Sequence, residues 1–72
     1  MLSFSVKLKE LRKLNCATQK QIADSLGVKE QTYQKYEYGQ NEPNMEVLVK
    51  LADYFDVSAD YLLGRSDNPV RH

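Results

Sequence analysis

Thr18-Gln19-Lys20-Gln21-Ile22-Ala23-Asp24-Ser25-Leu26-Gly27-Val28-Lys29-Glu30-Gln31-Thr32-Tyr33-Gln34-Lys35-Tyr36-Glu37-Tyr38-Gly39 is the stretch that decides the fold. Its opening Thr-x-x-Gln pattern is a capping box, in which Thr18 accepts from the third helical amide and Gln21 reaches back to the amide of the cap. Ile22, Ala23 and Leu26 then supply a buried stripe. Gly27, free to adopt the left-handed conformation, ends this helix after about two turns. Gly27-Val28-Lys29 is a tight connection, short enough to drop Val28 into the core between two crossing helices. The next helix is predicted over 30–38 and stops at Gly39. At ~100° per residue, Glu30, Gln31, Gln34, Lys35 and Tyr38 share one arc of about 140°. Tyr33, Tyr36 and Glu37 lie on the other side, with Thr32 at its edge. One face presents hydrogen-bonding groups of medium reach, and the other is largely aromatic.

Two short helices joined by a turn of three or four residues containing glycine form a helix-turn-helix. The DNA major groove admits one helix, and only there does each base pair show a distinct donor and acceptor pattern. A helix suited to that groove needs one face built into a core and one polar face, and the segment 30–38 has both.

Outward from this motif, Phe4, Leu8, Leu11 and Asn15 recur at helical spacing, predicting a first helix from about Ser3 or Ser5 to Leu14. Lys7, Lys9, Glu10 and Lys13 fall opposite. After the polar loop Gln40-Asn41-Glu42-Pro43, Asn44 is a good N-cap for a fourth helix, with Glu46 near its positive end. Met45, Leu48, Leu51, Ala52 and Phe55 are expected to line its buried face. Ser58 caps a last short helix, 59–63, ended by Gly64. The expected architecture is all-α, with five helices in one domain over 1–64. Residues 65–72 have no apolar periodicity and read as a flexible tail or the start of a linker.

Seventy-two residues support one domain, and 42% hydrophobic residues suffice for a small core. No run approaches the roughly 18 apolar residues of a membrane span, and the start lacks a secretory pattern, so the expected location is the cytoplasm. Net charge is zero, but the sign is split along the chain. Residues 1–36 hold seven basic and three acidic side chains, and residues 37–72 hold three basic and seven acidic. A basic front half is a hint of a polyanionic partner.

The lone Cys16 and the isolated, terminal His72 offer no metal site. Asp53, Asp56 and Asp60 read as solvated faces and a helix cap. With no glycine-rich phosphate loop and no nucleophile paired with a base, the chain is expected to be neither an enzyme nor a cofactor or metal binder. Tyr33, Tyr36, Tyr54 and Tyr61 read as packing residues, which leaves Tyr38 on the polar arc.

The run Thr18-Gln19, Leu26-Gly27-Val28, Glu37-Tyr38-Gly39 and Pro43 resembles the Cro/CI-type helix-turn-helix family of phage repressors and their bacterial relatives. The domain of that family is the lambda-repressor-like, or xenobiotic-response-element, domain. Leu11-Arg12 before the run agrees, as do Leu48, Leu51-Ala52 and Tyr61-Leu62-Leu63-Gly64 after it. The resemblance implies a compact five-helix domain that binds a palindromic double-stranded DNA operator as a homodimer. A transcriptional repressor is its expected function.

Carried over, the resemblance implies base contacts from Gln31, Lys35, Gln34 and Glu30. Glu30 ranks last of these, because a carboxylate near phosphates is repelled unless it accepts from a cytosine amino group. Backbone contacts are implied for Gln19, Lys29, Thr32, Thr18, Tyr38 and Gln40, and a structural ion pair for Arg12 and Glu37. Two departures from the family pattern stand out. The loop after the third helix offers Gln40, Asn41 and Glu42 where basic residues are common, and Lys29 replaces the usual capping residue. Both point to modest phosphate affinity and reliance on dimerisation. The acidic half and the short tail also fit a second reading, an antitoxin-like module that binds a protein partner. A third has the chain as the first part of a longer regulator.

Overall fold

A computed structural model describes residues 2–70, and their side chains from Phe4 onward. Arg71 and His72 lie outside the described residues. The elements are α1 (Leu2–Leu14), α2 (Gln19–Leu26), α3 (Glu30–Glu37), α4 (Met45–Phe55) and α5 (Ala59–Leu62), with no strand among the described residues. α2 packs against α3 and α4, while α1 crosses α3 and α5.

Each of the later helices starts on a cap set by sequence. Thr18 makes both halves of the capping box with Gln21, and Asn44 and Ser58 accept from the amides of Val47 and Tyr61. Lys29, at the start of α3, makes no side-chain capping bond.

All five helices stop in one way. One or two residues past the helix end the chain takes a left-handed φ, and the next amide reaches back to a carbonyl five residues earlier. This occurs at Cys16, Gly27, Gly39, Asp56 and Gly64, with Ala17, Val28, Gln40, Val57 and Arg65 donating to Arg12, Ala23, Lys35, Ala52 and Asp60. At Gly39 the left-handed φ of 73° is what favours glycine, since an added Cβ would make only ordinary contact with Ser5.

Leu8, Ile22, Tyr33, Leu51 and Leu62 are fully buried at the centre, one from each helix. Val28 packs against this core from the turn, as its position predicts. Three expectations fail at the edges. Met45 is 77% exposed, and Val47 is buried in its stead. The buried set of α4 spans an arc of about 140°, and Met45 falls just beyond it on the first turn. Tyr54 sits just outside the opposite edge, 38% exposed, with its ring edge-on to Phe55 at 5.1 Å. Asn15 lies beyond α1, exposed, where its amide donates to the Leu11 carbonyl at 2.8 Å.

The segment after Gly64, expected to be loose, turns back on the domain. The Ser58 amide donates to the Pro69 carbonyl at 3.0 Å, and side-chain turns at Ser66 and Asn68 fix the path. Lys7 lies over the Tyr61 ring at 4.4 Å, joining α1 to α5.

Candidate nucleic-acid interface

Tyr33 and Tyr36 anchor α3 in the core, with their rings edge to face at 6.3 Å. Its last turn is held by Glu37, whose carboxylate has no solvent exposure and accepts from three residues. Arg12 gives Nε at 2.6 Å and Nη2 at 3.2 Å, the Tyr33 hydroxyl donates at 2.6 Å, and Gln19 Nε2 donates at 3.2 Å. The expected pairing of Arg12 with Glu37 is therefore present, as a bidentate clasp between α1 and α3. Burial alone would push the Glu37 carboxyl up, but the hydrogen bonds from Arg12, Tyr33 and Gln19 outweigh it and hold it below its ordinary range. The same hydrogen bond raises Arg12, while burial, then the Glu37 hydrogen bond, push the Tyr33 hydroxyl up. All three groups keep their charge states across neutral pH.

Tyr33 and Gln19 as partners of Glu37 were not anticipated from the sequence. The four-residue step from Tyr33 to Glu37 is the local signal for the first contact. The second depends on how α2 crosses α3.

The remaining polar residues divide into two groups. Gln31 and Lys35 are exposed, and their side chains make no hydrogen bond or ion pair among the described residues, so both are available to an outside partner. Gln34 was expected in their company but is half-buried, its Nε2 donated to Gln19 Oε1 at 3.1 Å. On the helical wheel Gln34 lies between Glu30 and Tyr38, toward α2, whereas Gln31 and Lys35 lie on the far edge of the arc.

Around the start of α2, Lys9, Arg12, Ala17, Thr18, Gln19, Glu30, Glu37 and Tyr38 line an open cleft of about 460 Å³. Lys9 enters it because it is one helical turn from Arg12, on the same face of α1. Tyr38 is 60% exposed at the cleft edge. Thr18, Lys29, Glu30 and Gln40 are exposed, and Gln19 and Thr32 are half-buried. The amides of Gln19 and Lys20 at the start of α2, and those opening α3 at the uncapped Lys29, are free to meet an anion. Lys20 is only weakly tied to Asp24, at 3.7 Å on the surface.

Dimensions suit a groove. An α-helix with its side chains is about 10–12 Å across, which matches a major groove about 12 Å wide. Among the described residues, no group of histidine, cysteine and acidic side chains is arranged to hold a metal, and no helix is long and apolar enough to cross a membrane.

Residues 8–62 match a protein-family model described as helix-turn-helix. The HTH-type transcriptional regulator YqaE of Bacillus subtilis is 43% identical over 68 residues, covering 93% of this chain and 59% of that protein. The cryptic phage CTXphi transcriptional repressor RstR of Vibrio cholerae is 46% identical over 59 residues, covering 82% of this chain and 53% of the repressor. The chain thus spans a little over half the length of these curated relatives. Among solved structures, a transcriptional regulator from Listeria innocua superposes with a TM-score of 0.82 at 38% identity, over 85% of this chain and 57% of that one.

Proposed function

The chain belongs to the helix-turn-helix family of the Cro/CI type, and on that premise we propose that it binds double-stranded DNA in a sequence-specific way as a transcriptional repressor. α3 lies in the major groove, with Gln31 bidentate to adenine and Lys35 directed at guanine O6 and N7. Glu30 accepts from a cytosine amino group where one is offered. The start of α2, with Thr18 and Gln19, and the start of α3, with Lys29 and Thr32, bracket the backbone phosphates, flanked by Tyr38 and Gln40. Two copies occupy a palindrome whose half-sites lie about one helical turn apart. The setting is the cytoplasm, and no catalytic role is proposed.

One observation carries this reading. A helix fixed from behind by Tyr33, Tyr36 and the Glu37 clasp holds out two long polar side chains, Gln31 and Lys35, that have no partner among the described residues. A merely solvated helix face would not need so rigid a mounting. The wheel position of these residues and the free amides beside them add support.

The test is selection of bound duplexes from a random library at about 0.15 M salt, where weak charge-driven binding is suppressed. A palindromic motif is expected. Gln31→Ala and Lys35→Ala should each relax preference at one or two positions per half-site, by about 1–3 kcal/mol for a bidentate contact. Wild-type preference in both variants rejects the recognition-helix assignment.

A further inference from the structure

Gln34 lies on the polar arc of α3, yet its amide group is turned away from the arc's outer edge and bonded to Gln19. Gln19 is in turn bonded to Glu37. The three side chains form a series that starts at a fully buried carboxylate and ends at the surface.

This series has a direction that chemistry imposes. An ionised carboxylate only accepts, so Gln19 has to aim its NH2 group, not its carbonyl, at Glu37. The Gln19 carbonyl is thereby left facing Gln34 and only accepts, so Gln34 has to aim its NH2 group inward. A primary amide alone has no preference between its two flips, but two glutamines in series behind a fixed carboxylate have one sense each. Arg12 keeps that carboxylate charged, and Tyr33 adds a second donor that holds it in place.

We infer that Gln34 is a positioning residue for DNA binding rather than a reader of bases, and that it completes a one-way Glu37–Gln19–Gln34 relay that holds Gln19 ready for a phosphate. The inference rests on the DNA-binding reading for its functional half. With one Gln19 N–H on Glu37 and the carbonyl accepting from Gln34, the second Gln19 N–H is left without a partner among the described residues, and it is a donor, which is what a phosphate oxygen requires. The rotamer freedom that a long side chain would lose on binding is already lost in the free domain. Backbone grip at the start of α2 and the register of α3 are fixed by the same three side chains, so they act together.

Gln34→Met tests this without adding charge or changing length. In the free protein, the side-chain amide resonances of Gln19 are expected to shift and to exchange hydrogen faster, because the Gln34 donor that fixes the Gln19 carbonyl is gone. On DNA, affinity is expected to fall about fivefold for every duplex tested, with the position-by-position base preference kept as in the wild type. The Gln19→Ala/Gln34→Met double variant should bind no more weakly than Gln19→Ala alone, because both changes break one unit. Unchanged Gln19 resonances in Gln34→Met overturn the relay. A changed base preference makes Gln34 a reader, and additive losses in the double variant uncouple it from Gln19. If the wild-type chain binds no duplex, the DNA-binding reading and the functional half of this inference fall together, and the amide resonances still decide whether the relay exists.

Discussion

Truncating Glu37 to alanine removes an acceptor that serves three side chains at once, and the structure allows the cost to be assembled from its parts. The Tyr33 hydroxyl is left inside a residue with no solvent exposure, and an unsatisfied buried donor costs about 1–3 kcal/mol. The Arg12 side chain is 17% exposed, so its guanidinium recovers only part of its hydration, and its remaining bond to the Ala17 carbonyl is long, at 3.4 Å. Breaking a buried pair by removing one partner costs about 3–5 kcal/mol in comparable cases. The lower half of that range applies here, because Arg12 touches solvent and Gln19 can turn outward. A loss of about 3–4 kcal/mol lowers the melting temperature of a domain this size by about 12–30 °C. Set against a total of about 4–11 kcal/mol for 72 residues, that is a large share. The assay is thermal unfolding at neutral pH, followed by far-UV circular dichroism. Most of this loss comes from the groups left behind, so the all-apolar Arg12→Met/Tyr33→Phe/Glu37→Leu variant is expected to be more stable than Glu37→Ala. A Glu37→Ala protein within about 4 °C of wild type, or an apolar triple variant that melts below it, refutes this account of the clasp.

Three further outcomes are expected. Because the folded Glu37 carboxyl lies below its ordinary range, its contribution is complete above about pH 5 and is lost as pH falls through the lowered folded value. The melting-temperature advantage of wild type over Glu37→Gln should then be flat from neutral pH to about 5 and shrink in more acidic buffer; a constant gap across the acid range contradicts it. Cys16 holds a left-handed φ of 53°, so Cys16→Gly should raise the melting temperature by about 3–6 °C, relief of backbone strain outweighing the entropy of glycine; a lower value in the same melt rejects that balance. Thr18→Ala opens the capping box of α2 and should cost about 1 kcal/mol by urea unfolding, with an unchanged midpoint as the contrary result.

The sequence carries the core of this fold because its decisive signals are local. The capping box, the caps at Asn44 and Ser58 and the stops at Gly27, Gly39 and Gly64 are each written within six residues. The stops at Cys16 and Asp56 use the same geometry but carry no glycine, so composition alone does not mark them. Met45 and Tyr54 were misplaced because a wheel locates the centre of a buried arc better than its edges. Which neighbour covers an edge is a tertiary matter. At the candidate interface, the split of α3 into an aromatic and a polar face was legible, and it separates Gln31 and Lys35 from the core correctly. The link from Gln34 to Gln19 was not, because the two are 15 residues apart and meet only through the crossing of α2 and α3. The Arg12 and Glu37 pairing, 25 residues apart, was reached through resemblance to a family and not through any periodicity.

The free state of Gln31 and Lys35 bears on how such a domain changes over generations. Neither side chain holds any part of the fold together, so exchanging them should move stability by no more than about 0.5 kcal/mol, as at other unburdened surface sites. Gln34 and Glu37, a few ångströms away on the same helix, belong to the bonded set. Evolvability is therefore divided within a single eight-residue helix. A library randomised at 31 and 35 should yield mostly folded proteins with new preferences, while one randomised at 37 should yield mostly unfolded ones. On the proposed reading, new binding specificities would lie one or two substitutions away, with no need to rebuild the scaffold that presents them.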